Sequence, residues 1–520
     1  MNDQTHTRPS RAGGRAARRA ARAAPLTQDL RPVRAGLEGG TYKPLTDAEI
    51  ARIHEAALTC LEEIGLADAP QSGIDTMVAA GAILGDDGRL RYPRAFVEDA
   101  LAQAARGFTL HGRDPQFDLE LTGHRVHYGT AGAAVHMVDI DGTAYRDSTI
   151  QDLHDAARLT DQLDNIHFFQ RPMVARDILD NREMDYNTVY ASVAGTRKHI
   201  GTSITVPEHV PDILDMLYMM AGSEAAFRER PFVSNSNCFV VPPMKFATES
   251  CEVMEACLRG GMPVLLLSAG MAGATAPSTI AGAVVQATAE CLAGLVYVNA
   301  VAPGAKAIFG TWPFGLDLRT GAMSIGSGEQ ALLTAACAQM HRFYDLPGGA
   351  AAGASDAKLP DMQAGWEQMC SNVLAGLSGL NMVYEAAGMH ASLLGFCHES
   401  LVMGNDIIGQ ALRCVRGIEV TEDTLAVDTI REAVLGADGT GGTGHYLGTG
   451  QTLSRMQRDF VYPELGDRTS PKEWAENGKP DLVANAKART ADLLATPTAA
   501  ALPPDVDRAI RQRFNIHLSG

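Results

Sequence analysis

Residues 348–367 read GGAAAGASDAKLPDMQAGWE, and this stretch decides the fold. A run of glycine and alanine leads into the cluster Ser355, Asp356, Ala357 and Lys358, then Pro360 and a helical pattern. Residues this small let backbones pack closely and leave room for a ligand. The polar cluster falls where a strand would hand over to a loop. In a barrel of alternating strands and helices, that end of the strand carries the chemistry.

Working outward, short apolar or small-residue runs alternate with longer helical patterns from residue 148 onward. The candidate strands are 166–170, 199–205, 232–240, 263–268, 305–310, 347–353, 382–384 and 417–420. Helical stretches at 180–193, 210–220, 246–258, 279–299, 329–343, 362–377 and 401–415 intervene. Strand-like runs each followed by a helix-like one predict an α/β fold, a TIM (β/α)8 barrel. A doubly wound sheet is the alternative. The glycine fingerprint it would carry is missing, because GTGGTGHYLGTG at 439–450 follows a helix rather than a strand.

Before this series, Thr46 with Glu49 three residues later forms a capping box. Ile50, Ile53, Ala57, Leu61 and Ile64 then recur at helical spacing. The chain reads as helical to residue 115, with a short strand near 89–92. Residues 116–147 read as strands with hairpin turns, Asp141-Gly142 marking one of them. The expected organisation is a disordered basic arm at 1–40, helices with a small antiparallel sheet at 41–147, the barrel at 148–455, and a helical extension at 456–520 interrupted by Pro497, Pro503 and Pro504.

A chain of 520 residues with 46% hydrophobic and 20% charged residues fits an ordinary globular protein. Its nine cysteines form no C-x-x-C pair and mostly fall in apolar helical runs, as reduced core residues of a cytoplasmic protein do. The formal charge of −17 disfavours nucleic acid and anionic membranes as partners. No charge-free apolar run is long enough to predict a transmembrane helix. The arginine- and alanine-rich start lacks the hydrophobic region of a secretory signal.

The ends of the candidate strands collect Phe169, Gln170, Ser203, Thr205, Asn235, Asn237, Ser268, Thr311, Trp312, Phe314, Ser355, Asp356, Lys358, Tyr384, Glu385 and His390. Amides, hydroxyls, aromatic faces and a few carboxylates suit a desolvated organic cation. The basic cluster a phosphorylated substrate needs is missing. Each residue also has a structural reading: Trp312 as packing, Asp356 as a helix cap, Lys358 as its solvated partner, His390 as a core histidine. Asn235 and Asn237 are poor strand formers, which points to a site or a bulge. No metal site is expected. Cys397, His398 and Glu399 are consecutive on a helix and point apart, and no H-E-x-x-H or Cys/His spacing occurs.

Three segments in order resemble the trimethylamine methyltransferase (MttB-like) family: GTYKPLTDAEIARIHEAALTCLEEIGL at 40–66, GASDAKLPDMQAGWE at 353–367 and HYLGTGQTLSRMQRDFVYPELGDR at 445–468. The resemblance implies a TIM-barrel methyltransferase that moves a methyl group from an amine to the cobalt of a separate corrinoid protein. Trimethylamine enzymes of that family carry pyrrolysine, whereas this chain has an ordinary Lys358 in the neighbourhood. The expected substrate is therefore a quaternary amine such as glycine betaine. The corrinoid comes from the partner protein, with no cofactor bound tightly here. Trp312, Phe314, Tyr384, Asn235, Asn237 and His390 are the expected substrate-binding residues, and Asp356, Lys358 and Glu385 the expected catalytic ones. For a betaine carboxylate, His390, Asn237 or Lys358 would donate. The chain is expected to form a homo-oligomer. Alternatives are a trimethylamine-type substrate, a barrel that binds betaines without turnover, and a lyase using Lys358 as a Schiff-base amine.

Overall fold

The computed structural model describes residues 27–140 and 145–519. Residues 1–26 of the expected basic arm and the Asp141-Gly142 turn lie outside them. Within the rest of that arm, Leu37–Glu38 form a strand paired antiparallel with Arg125 and Val126.

The chain divides into two compact units. The larger, Ala35–Arg416 with the chain from Pro463 onward, is built on alternating strands and helices. In order these are β1 (Arg125–Tyr128), α1 (Ile150–Gln162), β2 (Phe168–Gln170), α2 (Asn181–Gly195), β3 (His199–Thr202), α3 (Val210–Ala221), β4 (Val233–Asn237) and α4 (Thr248–Arg259). They continue as β5 (Val264–Ser268), α5 (Ile280–Val301), β6 (Ala307–Thr311), α6 (Gly328–Phe343), β7 (Gly349–Ala351), α7 (Met362–Leu377), β8 (Met382–Tyr384) and α8 (His398–Arg416). Strands β2 to β6 make one parallel sheet in sequence order. Strands β7, β8 and β1 are parallel neighbours in a second sheet. Single parallel bridges join the two, Gly129 to Phe168 at one edge and Phe309 to Gly348 at the other.

The fold follows from local chemistry. Strands such as Val264-Leu265-Leu266-Leu267 are apolar on both faces because both faces are covered. Side-chain oxygens start the helices: Thr149 and Asp152 form a capping box on α1, Ser327 caps α6, and Asp361 caps α7 just after Pro360. The predicted Thr46–Glu49 capping box is present on the helix Asp47–Thr59. Helix α5 is long and apolar enough to cross a membrane, yet 78% of that window is buried within the protein, so it is packed as a core helix.

One expected strand is corrected. Residues 417–420 are irregular, with Ile418 90% exposed. The strand beside β8 is instead β1, from the stretch read as antiparallel hairpins. β1 is antiparallel to Leu37–Glu38 on one side and parallel to β8 on the other. An alternating pattern reports which faces are buried and not the direction of the neighbour, so it could not separate these cases.

Small residues at the strand ends receive aromatic rings. A Cβ on Gly129 would meet Phe168 ring carbons at 2.4 Å, and one on Gly349 would meet Tyr384 Cε2 at 2.6 Å. Gly129→Ala is therefore expected to destabilise the protein by about 1–3 kcal/mol through overpacking. Urea unfolding checks this; a wild-type midpoint would show that the Phe168 ring can move aside.

The C-terminal segment packs on α2, where Arg511 donates to the Tyr190 hydroxyl at 2.9 Å and Asn187 Nδ2 donates to the Asn515 carbonyl at 2.9 Å. Among the described residues, the smaller unit joins residues 27–34 with Gly417–Tyr462. It holds the helices Val427–Leu435 and Gly450–Arg455, with Arg455 ion-paired to Asp423 and Asp459.

Candidate active site

One face of each strand end is spent on the helix layer. Tyr128 donates its hydroxyl to the Asn372 carbonyl on α7 at 2.8 Å. Asn237 Nδ2 donates to the Ser250 carbonyl on α4 at 2.8 Å. Ser268 Oγ donates to Glu290 on α5 at 2.5 Å, and Thr311 Oγ1 meets His341 Nε2 on α6 at 2.5 Å. Asn235 is two residues from Asn237, so the period of two places it on the same face, buried, with neither side-chain polar atom partnered among the described residues. Asn235 and Asn237 thus stand behind the sheet.

The other face builds an aromatic layer. Trp312, just past β6, lies with its ring centroid 5.0 Å from that of Tyr384 at the end of β8, tilted by 44°. Phe168 on β2 meets the same Tyr384 ring edge-on at 5.0 Å. Trp312 is fixed by donating Nε1–H to the Gly349 carbonyl at 3.0 Å. All three side chains are buried. Offset and edge-on contacts of this kind are the favoured aromatic geometries.

Glu385 follows Tyr384 directly. It is 2% exposed, and its Oε2 has no hydrogen-bond partner among the described residues. Its φ of 61° is left-handed, a conformation that costs a non-glycine residue on the order of 1 kcal/mol. Burial pushes its pKa up to about 8. A buried carboxylate without a donor is held neutral until a cation or a donor arrives. The structure brings the Trp312 and Tyr384 rings into contact, and Glu385, the next residue in the chain, is buried with its Oε2 unpartnered among the described residues.

The other expected residues are engaged elsewhere. The Asp356 carboxylate accepts the backbone N–H groups of Ile325 and Gly326, each at 3.1 Å, and the Ser392 hydroxyl at 2.7 Å. It ties together the loops that follow β6, β7 and β8. Lys358 is exposed, donating Nζ to the Asp356 carbonyl at 2.7 Å, while its own carbonyl accepts from the Tyr145 hydroxyl. Phe314 is buried, and its backbone pairs with the loop after β5, through Gly270 and Ala272, both at 2.8 Å. His390 is buried against Ser400 Oγ at 2.7 Å, and burial lowers its pKa to about 4, so the ring is neutral at pH 7.

Three residues of this region escaped the sequence reading. Glu367 on α7 accepts from Ser355 Oγ at 2.5 Å and from the Asp356 N–H at 2.8 Å, and so anchors the polar cluster. Phe168 completes the aromatic layer. Arg171, one residue past β2, donates its N–H to the Gly201 carbonyl at 3.0 Å, but its Nε has no partner among the described residues. A strand-end arginine beside Gln170 was the signal available in the sequence; its lack of a partner was not.

The model of the trimethylamine methyltransferase (MTTB) family matches residues 11–516. The glycine betaine methyltransferase of Desulfitobacterium hafniense (strain Y51) is 30% identical over 471 residues, 90% of this chain and 96% of the relative. The trimethylamine methyltransferase MttB of Methanosarcina thermophila is 32% identical over 466 residues, 88% of this chain and 94% of the relative. Among solved structures, the carboxyl transferase domain from Rhizobium etli pyruvate carboxylase with 3-bromopyruvate aligns with a TM-score of 0.29 at 10% identity, over 93% of this chain and 76% of that one. That likeness is too weak to carry an argument.

Proposed function

This chain belongs to the trimethylamine methyltransferase family and is a methyltransferase, and from that premise we propose that it takes a methyl group from a quaternary ammonium compound and passes it to the Co(I) of a corrinoid on a separate protein. The observation that carries this reading is the buried Glu385, unpartnered at Oε2 among the described residues and next in the chain to Tyr384, whose ring meets Trp312. An aromatic face and a carboxylate in one desolvated place favour an N-methylated cation. As second substrate, the reduced cobalt supplies the electron pair that takes the methyl carbon, and the C–N bond breaks with its pair left on nitrogen. From a quaternary nitrogen the leaving amine is neutral, so the site needs no general acid. Trp312, Tyr384 and Glu385 bind the ammonium, exclude water and fix which N-methyl group is presented, and orientation of this kind accounts for much of a barrier reduction.

We read the two parallel sheets as one (β/α)8 barrel. The two bridging pairs, Gly129 with Phe168 and Phe309 with Gly348, and the helix after every strand support this. On that reading Trp312 and Tyr384 come from the C-terminal ends of β6 and β8, where such barrels carry chemistry, and their rings reach in to Phe168 and Gly349 at the starts of β2 and β7. Lys358 and Asp356 then support the loops rather than the methyl group, in keeping with their hydrogen bonds.

The test mixes the protein with a reduced corrinoid protein and follows the methyl-cobalt absorbance change with glycine betaine, carnitine, choline or trimethylamine. Transfer from a quaternary donor is expected. Transfer from trimethylamine alone, or binding of a betaine with no transfer to any corrinoid protein tried, would overturn the reading.

A further inference from the structure

A cavity of about 320 Å³ lies within the larger unit and shares no residue with the aromatic layer. Helix α7 lines it with Asp361, Ala364, Gly365 and Gln368, whose spacing of three and four makes one face. Helix α8 contributes Met403, Ile407 and Gln410, again one face. The segment from Pro463 to Arg468 forms the third wall. It is held by the Asp406 carboxylate on α8, which accepts the Glu464 N–H at Oδ1 and the Leu465 N–H at Oδ2, both at 2.9 Å. Asn485 Nδ2 donates to the Leu465 carbonyl at 3.1 Å and holds it from the other side of the chain. Hydrogen-bonded structure therefore encloses the space on each side.

One wall group lacks a partner. Gln368 is 3% exposed, and its Nε2 makes no hydrogen bond among the described residues. A buried amide donor in this state costs stability until an acceptor arrives. The charged side chains of the wall are three carboxylates, Asp361, Asp406 and Asp467, against one guanidinium, Arg468. Asp406 is spent on the backbone of the third wall. Asp361 accepts through Oδ1 alone, from the Ala364 N–H at 3.2 Å, and Asp467 through Oδ1 alone, from the Thr469 N–H and hydroxyl, both at 2.7 Å. Among the described residues, Oδ2 of each is left for a further donor. A wall of this sign favours a cation, and carboxylate oxygens favour an ammonium group that has N–H to give. No aromatic ring lines the cavity among the described residues, so the cation-binding faces of Trp312 and Tyr384 are not repeated here. Met403, Ile407, Pro463 and Leu465 make the rest of the wall apolar, and the volume suits a small molecule.

We propose that this cavity is a second binding site, for a small primary or secondary amine that carries an apolar chain and an oxygen acceptor. The ammonium group donates to the wall carboxylates, the oxygen accepts from Gln368 Nε2, and the chain rests on Met403, Ile407 and Leu465. The site does not depend on the function proposed above. Its occupant bears on the strand-end loops all the same: Glu367, next to Gln368, holds Ser355 and Asp356, and Ser400 on the cavity wall meets His390.

Calorimetry on the full chain with leucinamide tests it, beside two analogues. Isopentylamine keeps the chain and the ammonium group without the amide oxygen, and isocaproamide keeps the chain and the amide without the ammonium group. Leucinamide is expected to bind most tightly of the three, with a Kd of about 1 mM or below. Gln368→Leu should weaken leucinamide by about tenfold and leave isopentylamine within about twofold. Asp361→Asn, which keeps a side chain able to cap α7, should weaken both amines by about fivefold and leave isocaproamide within about twofold. It carries the comparison if thermal unfolding shows that Gln368→Leu is not folded. Glu385→Gln should bind leucinamide as the wild type does. No binding of leucinamide up to about 20 mM, or isocaproamide binding as tightly as leucinamide, overturns the amine site. Unchanged leucinamide affinity in folded Gln368→Leu overturns the assignment of the acceptor. Loss of leucinamide binding in Glu385→Gln puts the ligand at the strand ends and overturns the assignment of the cavity.

Discussion

Glu385→Gln is expected to weaken quaternary-ammonium binding by about a hundredfold, the loss of a buried charge partner, and to make the ligand-free protein more stable at alkaline pH. The folded protein holds the Glu385 proton up to about pH 8, whereas the ordinary value for the group is 4.5. A carboxyl raised in this way binds its proton more tightly folded than unfolded, so stability falls as pH climbs from 4.5 to about 8 and the loss is complete above that. Glutamine removes the titration. The variant should match the wild type near pH 5 and exceed it by on the order of 3 kcal/mol at pH 8.5. Urea unfolding at the two pH values measures the difference, and a gap that does not grow with pH counts against an unpartnered acid. In the wild type, cation binding should tighten as pH rises toward 8, because below that value the ligand must first displace the Glu385 proton. A pH-independent affinity for tetramethylammonium would sink the assignment of Glu385 as the counter-charge.

Trp312→Ala carries the second large effect. The side chain is buried, stacks on Tyr384 and donates Nε1–H to the Gly349 carbonyl. Truncating a buried tryptophan leaves a cavity and costs about 3–5 kcal/mol. Removal of the face that the cation would rest on should weaken tetramethylammonium by about tenfold beyond any unfolding. Trp312→Phe separates the two contributions: it keeps an aromatic face and loses one hydrogen bond, a cost of about 1 kcal/mol. Tetramethylammonium binding should then survive in Trp312→Phe and fail in Trp312→Ala. Undiminished binding in the alanine variant, measured under conditions where it is folded, would show that Trp312 only packs.

The strands that were legible in the sequence are those whose neighbours follow in chain order. β2 to β8 each sit in a run of apolar or small residues ahead of a helix, and each pairs beside the next such run. β1 was not legible as their parallel neighbour, because its alternating residues fit either direction of pairing and an earlier strand, Leu37–Glu38, does pair with it antiparallel. Gly417–Ile418-Glu419-Val420 resembled a strand by composition, and nothing local marks that its side chains stay in solvent.

Residue type alone placed Trp312, Tyr384 and Glu385 at the strand ends and predicted an organic cation as ligand. The same residue types placed Asn235, Asn237 and Lys358 beside them, and the fold turned these to the helix layer or the surface. Strand position is a local property, set by a period of two. Whether a side chain has a partner is a long-range property, decided by groups such as Ser250 for Asn237 and Glu367 for Ser355. The sequence by itself therefore determined the strand–helix alternation, the aromatic and acidic ends and the family likeness. Only tertiary structure decided which strand stands beside β8 and which charged groups remain unpaired, because both depend on what distant segments bring within hydrogen-bonding distance.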